Sequence, residues 1–126
     1  MTRRFDTRAN AILVQETIAG PTREATVTLA LDTGSTFSVI NPDVLLDVGV
    51  EIEHGEGAPI ATASGVVKPR RASVTSLAAL GHIQNEMVVL AHPLARELRI
   101  DGLLGLDFLR GRSISIDFRV GTIDLD

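Results

Sequence analysis

"LALDTGSTFSVI", residues 29–40, decides the fold. The stretch is apolar up to Asp32, small and hydroxylic through Thr33, Gly34, Ser35 and Thr36, then apolar again at Val39 and Ile40. It reads as a buried strand that ends in a carboxylate at a tight turn. An ionised carboxylate is costly to desolvate unless it is paired or hydrogen-bonded. Asp32 therefore either caps a turn or is held there for chemistry. In the first case its side chain bonds its own downstream backbone, as in an Asx-turn. In the second, Gly34 supplies a turn with φ > 0 and a close backbone approach. Thr33 and Ser35 then add hydroxyl donors that keep the carboxylate ionised and fixed.

β signals surround this stretch. "AILVQETIA" (11–19) and "EATVTLAL" (24–31) are β-prone, the second alternating with period two, and "GPTR" (20–23) reads as a turn. They predict a hairpin that delivers its second strand to Asp32. "NPDVLLDVG" (41–49) predicts a short helix, with Asn41 as N-cap, Pro42 at the first helical position, Asp43 in the first turn and Gly49 as the stop. A loop at 54–59 leads to "IATASGVV" (60–67), two short β pieces around a small polar tip. Strands are expected at 72–80 and 83–91, turning at Gly81-His82, followed by one or two helical turns at 93–98. "DGLLGLDFLRG" (101–111) reads as strand, glycine turn and short helix, and a last hairpin runs through 113–118 and 122–125. Strands about every ten residues, with turn signals between, indicate a small barrel or sandwich. No linker divides the chain. A faint echo joins its two halves: an apolar strand runs into a glycine turn at 29–34 and again at 100–105.

Composition removes several function classes. The 126 residues suit one domain with one modest core, and 44% apolar residues make it globular. The four Phe are the only aromatics, which leaves almost no stacking platform for nucleic-acid bases. A formal charge of −4 argues against nucleic-acid or anionic-membrane partners. The lack of Cys excludes disulfides and thiolate metal sites. No apolar run approaches the roughly 20 residues that span a bilayer. "MTRRFDTRAN" is polar and has no apolar run behind it, so no secretory signal is read and a cytoplasmic protein is expected. Residues 1–10 are expected to be a mobile N-terminal segment. His54, His82 and His92 share no metal-ligand spacing, so no metal site is expected.

Three segments, in this order and spacing, resemble the retropepsin-like aspartic proteases: "LALDTGSTFSVI", "IATASGVV" and "IDGLLGLDFL". The closing "SISIDFRVGTIDL" fits as well, so the resemblance spans residues 11–125. In detail it is similar to single-domain bacterial members and to the protease domain of the DNA-damage-inducible protein. The resemblance implies an all-β acid-protease closed barrel, with short helices after the catalytic loop and after the second glycine turn. The protease domain would occupy residues 11–126. Asp32 would be the catalytic carboxylate. Thr33 would brace the loop by bonding to a partner subunit, and Gly34 would offer a backbone amide to Asp32. Thr62, Ala63, Ser64 and Gly65 would form the flap tip over the substrate; this tip departs from the Gly-rich viral pattern. Leu103, Leu104 and Gly105 would support the catalytic loop, and a helix from Asp107 to Arg110 would follow. No cofactor is implied. The implied partners are a second copy of the chain and a polypeptide substrate.

Peptide hydrolysis by carboxylates needs one group to activate water and another to protonate the carbonyl oxygen. The chain has one Asp-Thr-Gly and is too short for two such lobes, so the second Asp32 is expected from a second copy about a two-fold axis. The other carboxylates read as structural. Asp107 suits a helix start, where the dipole and free N–H groups favour it. Asp101-Gly102 reads as a turn, and Asp117, Asp124 and Asp126 as solvent faces of the last hairpin. Lys68-Pro69-Arg70-Arg71 reads as a solvated edge that discourages strand pairing. "DTGST" is also similar to the phosphate loop of actin-like ATPases, but that fold needs two larger α/β lobes. The remaining alternative is a catalytically silent retropepsin-like module that binds peptides or dimerises. Few charged groups lie near the motifs, so apolar substrate pockets are expected.

Overall fold

The computed structural model describes residues 1–126 except Glu56, Ala58, Ala63 and Ser64. In chain order the strands are β1 (Thr2–Arg4), β2 (Leu13–Ala19), β3 (Glu24–Leu31), β4 (Val39–Ile40), β5 (Ile60–Thr62), β6 (Gly65–Val67), β7 (Arg70–Ala79), β8 (His82–Ala91), β9 (Gly102–Leu104), β10 (Ile114–Asp117) and β11 (Thr122–Leu125). The helices are α1 (Pro42–Asp47) and α2 (Leu106–Leu109).

Period-two alternation puts one face of each strand inside. β2 and β3 pair antiparallel with Val14 opposite Leu29, and Val14, Ile18, Val27 and Leu29 are buried. β3 then runs parallel to β9, Leu29 opposite Gly102 and Leu31 opposite Leu104. Six strands close into a barrel in the order β2-β3-β9-β4-β8-β7, which is the fold class expected from the sequence. Where β9 meets β4, a Cβ on Gly102 would lie 2.5 Å from the Val39 carbonyl oxygen, so no side chain fits there. Helix α1 begins as its sequence dictates: the Asn41 side chain accepts the Asp43 N–H, Pro42 follows, and Leu45 is buried.

The β7–β8 turn and helix α2 are among the elements whose boundaries move from their expected places. Ala79 pairs with His82, so the β7–β8 turn is Leu80-Gly81 rather than Gly81-His82. Both turn residues have positive φ (52° and 84°), as the two-residue turn that matches strand twist requires. Helix α2 covers Leu106–Leu109, with Arg110 as its C-cap, one residue ahead of the expected Asp107–Arg110.

A second sheet, ordered β1-β11-β10, covers the barrel and adds Ile123 and Leu125 to its core. Its outer strand β1 is made of Thr-Arg-Arg and has no apolar pattern. Arg3 ties it down. Its Nε donates to Glu16 Oε1 at 2.8 Å and its Nη2 to Oε2 at 3.4 Å. Glu16 occupies an inward position of β2 between Val14 and Ile18, with its side chain only 2% exposed against 34% for Arg3. A third, separate sheet is the β5–β6 hairpin, Thr62 opposite Gly65. Of the expected flap-tip residues, Ala63 and Ser64 lie outside the described residues. Among the described residues no helix is long and apolar enough to cross a membrane.

Candidate active site

The backbone at Asp32 is held from two sides. Leu31 N–H donates to Ile12 O at 2.9 Å, and Asp32 N–H donates to Leu104 O at 2.9 Å, which extends the β3–β9 ladder by one bond. Asp32 Oδ1 accepts the Gly34 N–H at 3.0 Å. This contact is what an Asx-turn makes, so by itself it does not separate a turn cap from a reacting group. Asp32 Oδ2 has no hydrogen-bond partner among the described residues.

The cage around this carboxylate differs from the one expected. Gly34 does not use φ > 0; its smallness serves close approach, since a Cβ there would lie 3.3 Å from Asp32 Oδ1. Ser35 Oγ turns away and donates to the Phe37 carbonyl at 2.7 Å. Thr33 is exposed, and among the described residues nothing in the chain bonds its hydroxyl.

The two glycine turns of the sequence echo are in backbone contact. Leu106 N–H donates to Ser35 O at 2.8 Å and Asp107 N–H to Thr36 O at 3.2 Å. Buried Ser38 joins them from its side chain: its hydroxyl accepts from Gly105 N–H at 3.0 Å and donates to Asp107 Oδ1 at 2.7 Å. Ser38 N–H donates to Asp107 Oδ2 at 2.8 Å. Asp107 does accept a helix N–H, that of Phe108 at 2.9 Å, as a helix-start carboxylate should. Its larger role is to clamp the Asp32 loop through bonds strengthened by its charge. Asp101 also does more than turn the chain, because its Oδ2 accepts the Thr28 N–H at 2.8 Å and its carbonyl accepts the Asn41 N–H at 2.8 Å. Asp117 is half-buried at the β10 end, where the Arg119 side chain holds its carboxyl below the usual range.

Gly105 tests this clamp. Its φ of −103° suits any residue, but a Cβ would lie 2.7 Å from Ser35 O and 2.8 Å from Phe37 O. The neighbours are backbone and cannot swing away. Gly105→Ala is expected to lower unfolding free energy by about 2 kcal/mol. Denaturant unfolding with an unchanged midpoint would show that the two loops are not locked together.

Asp32 lines a cleft of about 410 Å³. Its walls are largely apolar, from Leu13, Leu31, Leu98, Ile100 and Leu103, and its polar side chains besides Asp32, among the described residues, are Asn10 and Glu97. Sequence reasoning missed both. Asn10 lies in the segment expected to be mobile. Glu97 belongs to a single 3-10 turn, Arg96–Leu98, that ends at Arg99 in the left-handed conformation (φ 52°), and no motif marks it. Phe37, further along the Asp32 loop, shares a groove of about 440 Å³ with Ile60, Met87, Val88 and Leu90. Ile60 is the first residue of the β5–β6 hairpin, so the hairpin base borders the loop. Gly65, at the other side of the tip, has φ +128°.

His82 is structural: its Nε2 donates to Leu125 O at 2.8 Å and its Nδ1 accepts from Arg112 at 2.8 Å. Among the described residues no three His, Asp or Glu side chains converge on a metal-sized site.

Residues 14–108 match the model of a family described as aspartyl protease. No curated protein matches the sequence. Among solved structures, the fold is similar to a retropepsin-like aspartic protease from Rickettsia conorii, with a TM-score of 0.68 and 13% identity over 98% of this chain and 88% of that one. It is also similar to the EIAV protease complexed with the inhibitor HBY-793, with a TM-score of 0.58 and 19% identity over 82% of this chain and 88% of that one. At these identities the likeness establishes a shared architecture.

Proposed function

Because the chain belongs to the aspartyl protease family, we propose that it is a homodimeric endopeptidase in which two Asp32 carboxylates, one from each copy, hold the attacking water. The observation that carries this reading is the position of Asp32. It ends a barrel strand, is fixed by backbone bonds, and lines an apolar cleft with one carboxylate oxygen unpartnered among the described residues.

Two such groups about 3 Å apart cannot both ionise, so they share one proton. The ionised member takes a proton from water, whose oxygen attacks the peptide carbonyl carbon. The protonated member gives its proton to the carbonyl oxygen. When the tetrahedral intermediate collapses, the C–N bond breaks, the amine leaves with a proton, and the dyad returns to its starting state. A single chain supplies one half of this dyad. The Thr33 hydroxyl, exposed and without a partner among the described residues, is suited to brace the loop from one copy to the other. Substrate would lie extended between the barrel and the β5–β6 hairpin, bonded through its main chain as an added strand. Thr62 and Gly65 of this hairpin would lie over it.

Proteolysis of an unbiased peptide library by the wild type and by Asp32→Asn tests the reading. Cleavage that requires Asp32 is expected; peptide retained but uncut by the wild type would leave a binding module.

The hairpin is tested separately. At φ +128° a β-branched residue is strained although, among the described residues, nothing lies within 4 Å of a Cβ on Gly65. The β5–β6 hairpin is not part of the barrel, so the strain stays local. Gly65→Val is expected to lower turnover roughly ten-fold with the barrel's melting temperature unchanged. Unchanged turnover would remove this hairpin from the substrate path.

A further inference from the structure

The cleft at Asp32 is not electrically neutral. Among the described residues, its polar lining side chains are Asn10, Asp32 and Glu97. Two are carboxylates, and among the described residues no Lys, Arg or His lines it, although Arg96 and Arg99 flank Glu97 in sequence. Asp32 is committed to the reacting carbonyl, so Glu97 is the charge left for the substrate side chain. Leu98, Ile100 and Leu103 line the same cleft with apolar surface.

From this arrangement we infer that Glu97 makes the cleft selective for a substrate residue with an aliphatic stem and a cationic end, lysine or arginine, next to the scissile bond. The inference rests on the peptidase reading above and departs from the apolar preference expected from the sequence, because Glu97 lines the cleft. The stem covers the apolar walls, and the charged head stays at the wet rim against Glu97, the way long basic side chains ordinarily divide themselves between apolar surface and water. Glu97 is exposed, so the pairing gives a modest preference of about three- to five-fold over an uncharged stem. A two-fold dimer presents the same cleft on both sides of the dyad, so the preference holds for either residue flanking the cut.

Two peptides that differ only in lysine or norleucine beside the cut separate charge from stem. In the wild type, kcat/KM is expected to favour lysine about three-fold or more, and raising salt should shrink the ratio. Glu97→Gln should bring the ratio close to one, and Glu97→Lys should invert it. Binding of the same peptides to Asp32→Asn, read by fluorescence anisotropy with and without Glu97→Gln, gives the same comparison without any bond being cut. Equal affinities for the two peptides, or a lysine preference that survives Glu97→Gln, would overturn the assignment. If the wild type cuts neither peptide, the peptidase reading fails, while the binding arm still decides what the cleft prefers.

Discussion

Asp32→Asn is expected to lower kcat by about a thousand-fold or more with the fold intact. Asparagine keeps the shape of the side chain and keeps an oxygen to accept the Gly34 N–H that Asp32 Oδ1 accepts at 3.0 Å. It is as good a turn cap as aspartate. The substitution therefore removes the proton chemistry and spares the turn, which separates the two readings that the loop geometry leaves together. Mixing sharpens the test. If each site takes Asp32 from both copies, refolding wild type with a nine-fold excess of Asp32→Asn captures most wild-type chains in mixed dimers. The amide in a mixed dimer cannot pass the shared proton. By random pairing, activity per wild-type chain falls about ten-fold. Dilution of the wild type should also lower specific activity, and the pH–rate profile should report the pair as a unit. Mixed dimers that form and leave wild-type activity untouched would mean that each chain is complete by itself.

The legible parts of this fold are those whose cause is local. Asn41, Pro42 and Gly49 bound helix α1 in the sequence because capping acts within a few residues. The alternation in 24–31 marks β3 because burial on one face has period two. Asp32 stood out for the same reason, as a charge at the end of an apolar run. What the sequence hid depends on distant partners. Thr2–Arg4 is a strand only because β11 pairs with it and Glu16 binds Arg3. The clamp of Ser38 by Asp107 spans 69 residues, and the local helix-start reading of Asp107 was adequate without it. Glu97 lines the cleft from a single 3-10 turn that ends at left-handed Arg99, a conformation that an arginine does not advertise. The Leu80-Gly81 turn was displaced by one residue for a similar reason, since leucine seldom has φ > 0.

Arg3→Ala is expected to destabilise the protein by about 3 kcal/mol, at the low end of the range for breaking a buried pair because Arg3 itself is 34% exposed. Glu16 is then left as a charge without its cation, its side chain 2% exposed among Val14 and Ile18. In a chain of this size the melting temperature should fall by roughly 10 °C. Replacing both partners, Arg3→Leu with Glu16→Leu, should recover most of the loss, because the cost comes from the stranded charge. The hydrogen bond to Glu16 raises Arg3 above its ordinary value. The stabilisation from this raised group is fully present below the ordinary guanidinium range and is lost only as pH rises through the raised value. Across neutral pH the arginine side of the pair is therefore constant. Equal stability of the Arg3→Ala variant and the wild type would show that β1 is held by its ladder with β11 alone.

The position of β11 also sets a timetable. It is the middle strand of β1-β11-β10, and Arg3 lies opposite Ile123. β1 must wait for a strand synthesised about 120 residues later, some 6 to 24 s at ordinary translation rates. Every strand of the barrel, by contrast, has been made by Leu104. On the ribosome the barrel strands around Asp32 can pair before the strap over Glu16 exists, and for that interval the nascent chain carries the buried acid without its lock. A denatured chain has no such schedule: β1 and β11 are both present from the first moment, and only the entropy of closing so long a loop delays their meeting. The two routes arrive at one structure with their last steps in different places.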